Sequence, residues 1–254
     1  MKYYVVADTH GFYSELIEAL NQKGFFDEKE PHKLIIIGDL LDRGQEALKL
    51  QAFVMDLIKK DLVILIKGNH EDLMLEMLDN YSIYRERIAS GVRVHHVLNR
   101  TFDTALQLTG FSIADALLKE KEFVRAVRNS DFYRTIIPNM IDYFETEHYI
   151  FTHGYLPVDE YGNLIDYHLA SKEEWASARW LNGMKMACEN KQIVLGKTVI
   201  CGHFHTSYGY SRINNQCSEF GSDAIFTPFY SEGIIAIDSC CAHTGFINCI
   251  VIED

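Results

Sequence analysis

Three short runs in the first third of the chain are apolar at nearly every position: residues 3–7 (YYVVA), 34–37 (LIII) and 62–66 (LVILI). Runs of this kind suit strands buried on both faces. Between them, residues 15–23 and 46–60 are amphipathic and predict helices, with Ser14 as candidate N-cap of the first and Gly24 as its stop. The order strand, helix, strand, helix, strand implies a parallel sheet. Residues 72–147 read as mostly helical, with little strand character. Short apolar runs return at 149–152, 198–201, 233–238 and 246–252, joined by connections richer in Gly, Asn and Ser. These predict a second sheet that is at least partly antiparallel. The expectation is an α/β fold: two packed mixed β-sheets flanked by helices, a four-layer α-β-β-α sandwich. A helical cap would insert at about 72–147. With no repeat, low-complexity tract or linker in view, residues 1–254 read as one domain.

The polar residues are placed non-randomly. Each buried run of the front half ends in a polar cluster: Asp8-Thr9-His10-Gly11, then Gly38-Asp39-Leu40-Leu41-Asp42-Arg43-Gly44, then Gly68-Asn69-His70-Glu71. The back half repeats the habit with Thr152-His153-Gly154 and Gly202-His203-Phe204-His205. Ligands of open α/β sheets bind at the carboxyl ends of the strands, so the five clusters are expected to converge on one site. Taken singly, each has a bland reading. Asp8 and Asp39 could start turns, Asn69 could cap a helix, and His153 could be a satisfied core histidine. His203 and His205, two apart on one strand, would point their rings to the same face. Co-occurrence after five apolar runs is what favours a site.

Composition narrows the partners. The 254 residues hold 24 Lys and Arg against 36 Asp and Glu, a formal net charge of −12. A surface that acidic repels phosphate backbones and anionic lipid, which disfavours general nucleic-acid and membrane-surface binding. A small anionic substrate stays open, because a bound cation reverses the local sign. No apolar run is long enough to span a bilayer, and the first residues show no export signal, so a cytoplasmic setting is expected. The six cysteines form no C-x-x-C motif and read as reduced, mostly buried thiols, the adjacent Cys240 and Cys241 included.

Carboxylate, amide oxygen and imidazole without thiolate suit divalent ions such as Mn²⁺, Fe²⁺ or Zn²⁺. Two aspartates, one asparagine and four histidines exceed the needs of one open site. They fit two ions sharing a bridging carboxylate, the clamp used on phosphoryl groups.

The series D-x-H, G-D-x-x-D-R-G, G-N-H-E, H-G and G-H, in this order from Asp8 onward, resembles the signature of the calcineurin-like metallophosphoesterase superfamily. The chain looks most like its bacterial and phage serine/threonine protein phosphatase branch, with symmetrical dinucleoside tetraphosphatases as near relatives. The stretch 131–154 and the tail Ile237-Asp238-Ser239-Cys240-Cys241 are similar to that branch as well. The resemblance implies two divalent ions, Mn²⁺ foremost, and in-line attack on phosphate monoesters by a metal-bridging hydroxide. It implies that Asp8 and His10 bind the first ion, that Asp39 bridges, and that Asn69, His153 and His203 bind the second. Asp42 would pair with His70, the group that protonates the leaving oxygen. Arg43 and, on a looser match, Arg179 would hold the phosphate. His205 departs from the protein-phosphatase pattern, which has one histidine there; in the wider superfamily it completes the first ion's shell. His95, His96 and His243 have no motif support and read as surface or structural. The substrate, phosphoprotein or nucleotide, is left open because residues 72–147 carry no recognisable specificity motif. A non-catalytic metal-binding scaffold would have no need of Asp42, Arg43 or His70, and their presence argues for an enzyme.

Overall fold

The computed structural model describes all 254 residues. β1 (Lys2–Ala7), β2 (His32–Ile37) and β3 (Val63–Ile66) form the expected parallel set, connected through α1 (Tyr13–Lys23) and α2 (Ala47–Lys59). α1 ends at Gly24 as its sequence indicates. Its start does not: the helix opens after Phe12, and Ser14 caps nothing. The amide and hydroxyl of Ser14 instead bond the carboxylate of Glu46, the residue preceding α2, at 2.9 and 3.1 Å.

Alternation along the strands builds the layers. Tyr4 and Val6 of β1, and Leu34 and Ile36 of β2, face the outer helices in a core shared with Leu16, Leu50 and Val54. Their neighbours Val5, Ala7, Ile35 and Ile37 face the other way, into a layer completed by Phe151 and Ile200 of the second sheet. That middle layer is why the runs are apolar at every position. A third core, with Ile150, Val199, Trp175 and Phe229, lies behind the second sheet. The result is the four-layer α-β-β-α arrangement.

Six helices follow β3: α3 (Asn69–Asp79), α4 (Tyr81–Ala89), α5 (His95–Leu98), α6 (Thr101–Thr109), α7 (Ile113–Leu118) and α8 (Glu120–Arg128). Phe102, Ala105, Ala116, Phe123 and Val127 from this segment join the outer core of the first sheet. The segment is therefore continuous with that helical layer. The span expected to be mostly helical also contains β4 (Tyr143–Glu145), an antiparallel edge on β5 (Tyr149–Thr152).

The rest of the chain supplies α9 (Lys172–Ala178), β6 (Thr198–Cys201), β7 (Phe229–Ser231), β8 (Ile234–Ala236), α10 (Cys241–Thr244) and β9 (Ile250–Glu253). The second sheet runs β4-β5-β6-β8-β7 and is mixed. β9 corrects the reading of the last run. It leaves the second sheet and pairs antiparallel with β1, so the first sheet runs β3-β2-β1-β9 and is mixed too. Ile250 and Ile252 decide the placement, since they complete the middle apolar layer beside Val5. All six cysteines are free, with Cys201, Cys241 and Cys249 buried. No helix is long and apolar enough to cross a membrane.

Candidate metal centre

Strand register sets the site. Ala7 pairs with Ile37, and Ile37 with Ile66, so the first three strands end level and deliver Asp8, Asp39 and Asn69 to one rim. In the second sheet Phe151 pairs with Ile200 and Cys201 with Ala236, which brings His153, His203 and Asp238 to a rim of their own. The two rims are fastened together. The Asp8 carboxylate accepts the His203 amide at 2.9 Å, and Nδ1 of His153 donates to the Ile37 carbonyl at 3.1 Å.

The chain turns sharply at these positions. Asp8, His10, Asp39, Asp42, Arg43 and His203 all have positive φ, six of the eleven non-glycine residues that do. Such backbone is costly for side-chain-bearing residues and gathers at functional sites. Close approach is equally strict: a Cβ on Gly68 would collide with the side chain and backbone of Asp39.

Two donor groups share one carboxylate. Ligand atoms of His10, Asp39 and His70 lie within 4.8 Å of one another, as do those of Asp39, His153 and His203. Asp39 is common to both. Nδ1–H of His10 donates to the Leu41 carbonyl (3.0 Å), which leaves Nε2 as a lone pair 3.6 Å from Oδ2 of Asp39. The His153 proton is likewise committed to Ile37. Its Nε2 lone pair stands 2.8 Å from Oδ1 of Asn69 and 3.3 Å from Oδ1 of Asp39. Burial pushes the pKa values of His10 and His153 down, and takes that of His203 to about 3. Burial opposes ionisation of Asp39, but the imidazoles of His153, His70, His10 and His203 outweigh it and hold the carboxyl well below the ordinary range. The Nε2 atoms of His10 and His153 thus present lone pairs toward the Asp39 carboxylate. A divalent cation suits that arrangement, and the fixing of the imidazole by a backbone carbonyl is the usual support of a metal-binding histidine.

Beside the shared carboxylate, Nδ1 of His70 donates to Oδ2 of Asp42 at 2.7 Å, and Nη2 of Arg43 reaches Nε2 of His70 at 3.3 Å. Burial disfavours protonated His70, yet Asp39 and Asp42 together raise its pKa above the usual value. His70 thus belongs to the first donor group by position and to Asp42 by its hydrogen bond.

Glu71, quoted in the motif without a role, proves to be an organising residue. Its carboxylate accepts the amides of Gly68 (2.7 Å), Leu40 (2.9 Å) and Asp39 (3.1 Å), tying two strand-end loops together. Glu71→Gln would point an amide N–H₂ at those donors. It is expected to lower stability by about 1–3 kcal/mol, read as a reduced denaturation midpoint; an unchanged midpoint would refute the role. Asp238 also escaped the sequence reading. It is buried, accepts the Cys240 amide at 2.7 Å, and is raised in pKa by burial. The signal was available: Asp238 follows an apolar run just as Asp8 and Asp39 do.

Three expected residues make contacts that the motifs do not announce. Asp8 is buried at the junction of the rims, bonded to the His203 amide, and stands outside both three-residue groups. Arg179 is buried, 4% exposed. Its Nε donates to Asp72 and its Nη1 to Asp142, both at 2.7 Å, so two of its nitrogens are committed to carboxylates and not free for a phosphate. His205 belongs to neither donor group; its Nε2 lies 3.4 Å from Glu219 and its Nδ1 3.3 Å from the Ser207 hydroxyl. The shared-face argument fails because β6 ends at Cys201 and His203 turns with φ +64. Of the unassigned histidines, His95 is exposed, while His96 is buried 3.6 Å from Glu76.

The chain belongs to the calcineurin-like phosphoesterase family, whose profile matches residues 1–207. It is 24% identical over 169 residues to a protein of Halalkalibacterium halodurans named asymmetrical bis(5'-nucleosyl)-tetraphosphatase, covering 64% of this chain and 61% of that one. A protein of the same name from Bacillus velezensis is 31% identical over 140 residues, with 52% and 51% covered. The chain thus spans between half and two thirds of these relatives. Among solved structures, a cold-active protein-tyrosine phosphatase of Shewanella superposes with a TM-score of 0.52 at 15% identity, over all of this chain and 75% of the other. A protein serine/threonine phosphatase of Saccharomyces cerevisiae superposes with a TM-score of 0.51 at 13% identity, over all of this chain and 80% of the other. These two likenesses show the fold.

Proposed function

We propose that the chain is a metal-dependent phosphoesterase hydrolysing phosphate monoesters, with Mn²⁺ as the preferred ion. The observation that carries this reading is Asp39 shared between two groups of potential ligands, with His70 of one group paired to Asp42. Asn69, His153, His203 and Asp39 would hold one ion, and Asp39, His10 and Asp8 the other. Such ions, when bound, supply charge for the phosphoryl oxygens and a water activated at neutral pH.

The chain's own residues do the rest. Asp39 holds the two halves of the site in register. Arg43 presents a guanidinium whose planar donors match phosphate oxygens. His70, braced by Asp42, delivers a proton to the departing oxygen. Phosphoserine or phosphothreonine in a protein is the first reading of the substrate. The names of the sequence relatives favour a second, a dinucleoside tetraphosphate. One panel separates them: p-nitrophenyl phosphate, a phosphoserine peptide and a dinucleoside tetraphosphate, assayed on protein first stripped by a chelator. Stripped protein is expected to be inactive and Mn²⁺ to restore turnover. Full activity without metal would remove the proposal, and the better of the two biological substrates decides between the readings.

A further inference from the structure

The helical segment after β3 reaches the candidate site at one point. Thr101, the first residue of α6, is fully buried, and its hydroxyl donates to Oδ2 of Asp42 at 2.7 Å. The same oxygen accepts Nδ1–H of His70, also at 2.7 Å. One carboxylate oxygen therefore receives two short hydrogen bonds from elements far apart in sequence. Six residues further along α6, the Gln107 side chain donates to the Gly44 carbonyl (3.0 Å) and accepts the Ala47 amide (3.2 Å). The helix is thereby pinned at two places to the loop that carries Asp39, Asp42 and Arg43. Phe102 and Ala105 anchor its other side in the outer core. The backbone is left-handed on both sides of the contact, with Asp42 at φ +75 and Arg100, next to Thr101, at φ +63.

The last torsion of an aspartate is broad, so a lone Asp–His pair can pivot about its single hydrogen bond. A second donor on the same oxygen, fixed to a different element, selects one orientation, and bonds in such a chain reinforce one another. We propose that Thr101 is a positioning residue for the reaction. Its hydroxyl holds the Asp42 carboxylate so that His70 keeps Nε2 facing the leaving oxygen, and α6 is the brace that transmits the rigidity of the outer core. The inference rests on the reading of His70 as the proton donor.

The test uses the full chain and compares Thr101→Val, Thr101→Ala and Thr101→Ser, each checked for a native circular-dichroism spectrum. In metal-loaded protein, Thr101→Val and Thr101→Ala are expected to lower kcat about tenfold on an alkyl phosphate, the worth of one strong hydrogen bond. The loss should be smaller on p-nitrophenyl phosphate, and KM should stay within about twofold. Thr101→Ser should restore most of the rate. A second readout needs no turnover. The Nδ1 proton of His70, identified by its absence in His70→Asn, should shift in Thr101→Val and return in Thr101→Ser. Equal losses on both phosphates, or an unmoved proton resonance in Thr101→Val, would overturn the inference. Should His70→Asn itself hit both substrates equally, the acid reading falls, and the resonance still judges the Thr101 contact on its own.

Discussion

Asp39→Asn is expected to reduce turnover by about 10³-fold or more, because the charge it removes serves both donor groups at once. The substitution is nearly isosteric. An asparagine oxygen can still accept the His70 amide, which Oδ1 of Asp39 takes at 2.9 Å, so the loop need not rearrange. What disappears is the negative charge facing His10 and His70 on one side and His153 and His203 on the other. Calorimetric titration with Mn²⁺ should show affinity falling at two sites; for scale, residues merely supporting metal ligands change affinity by about 10- to 100-fold. A variant that bound two ions normally and turned over at the wild-type rate would show the shared-carboxylate assignment to be wrong.

His70→Asn should lower kcat on alkyl phosphates by about 10²–10⁴, the usual contribution of a positioned general acid. The reasoning is geometric. Nδ1 of His70 is occupied by Asp42, and Nε2 faces the space beside Asp39 and Arg43, where a leaving oxygen would emerge. A nitrophenolate departs without help from a proton, so the loss on p-nitrophenyl phosphate should be much smaller. Equal losses on the two substrates would dismiss the acid role. Loss of an ion from the variant would assign His70 to the metal, which its place in the first donor group makes a real contest.

The parts of the molecule legible from the sequence were those governed by short-range pattern. The runs at 149–152 and 198–201 match β5 and β6 residue for residue, because strands buried on both faces have an unbroken apolar signature. The convergence of five polar clusters followed from the same strands ending in parallel. Longer-range choices were hidden. Nothing local tells β9 to desert the second sheet for β1, since the choice rests on how Ile250 and Ile252 fill a layer built by other strands. The three-residue β4 and β7 are too short for periodicity to register. At the site, residue type was informative and side-chain direction was not. Arg179 and His205 carried suitable chemistry, but their partners Asp72, Asp142 and Glu219 lie far off in sequence or outside any motif. Glu71 and Thr101 act through backbone amides and a second carboxylate, contacts that no spacing announces.

The left-handed backbone at Asp8, His10, Asp39, Asp42, Arg43 and His203 sets a limit on how this protein can be improved. Each such residue is disfavoured by roughly 1–2 kcal/mol against a relaxed conformation. Glycine would adopt these dihedrals freely, and these six positions are where a search for thermostable variants would find backbone relief. On the proposed function they are also where the side chain carries the chemistry, so a glycine there would remove a ligand, the brace of the proton donor or a phosphate contact. Durability and turnover are thus opposed at the same residues. If the proposed activity holds, selection for heat resistance alone would drift toward a more robust protein with an inert centre, and hardening without loss of turnover has to be sought in the outer layers.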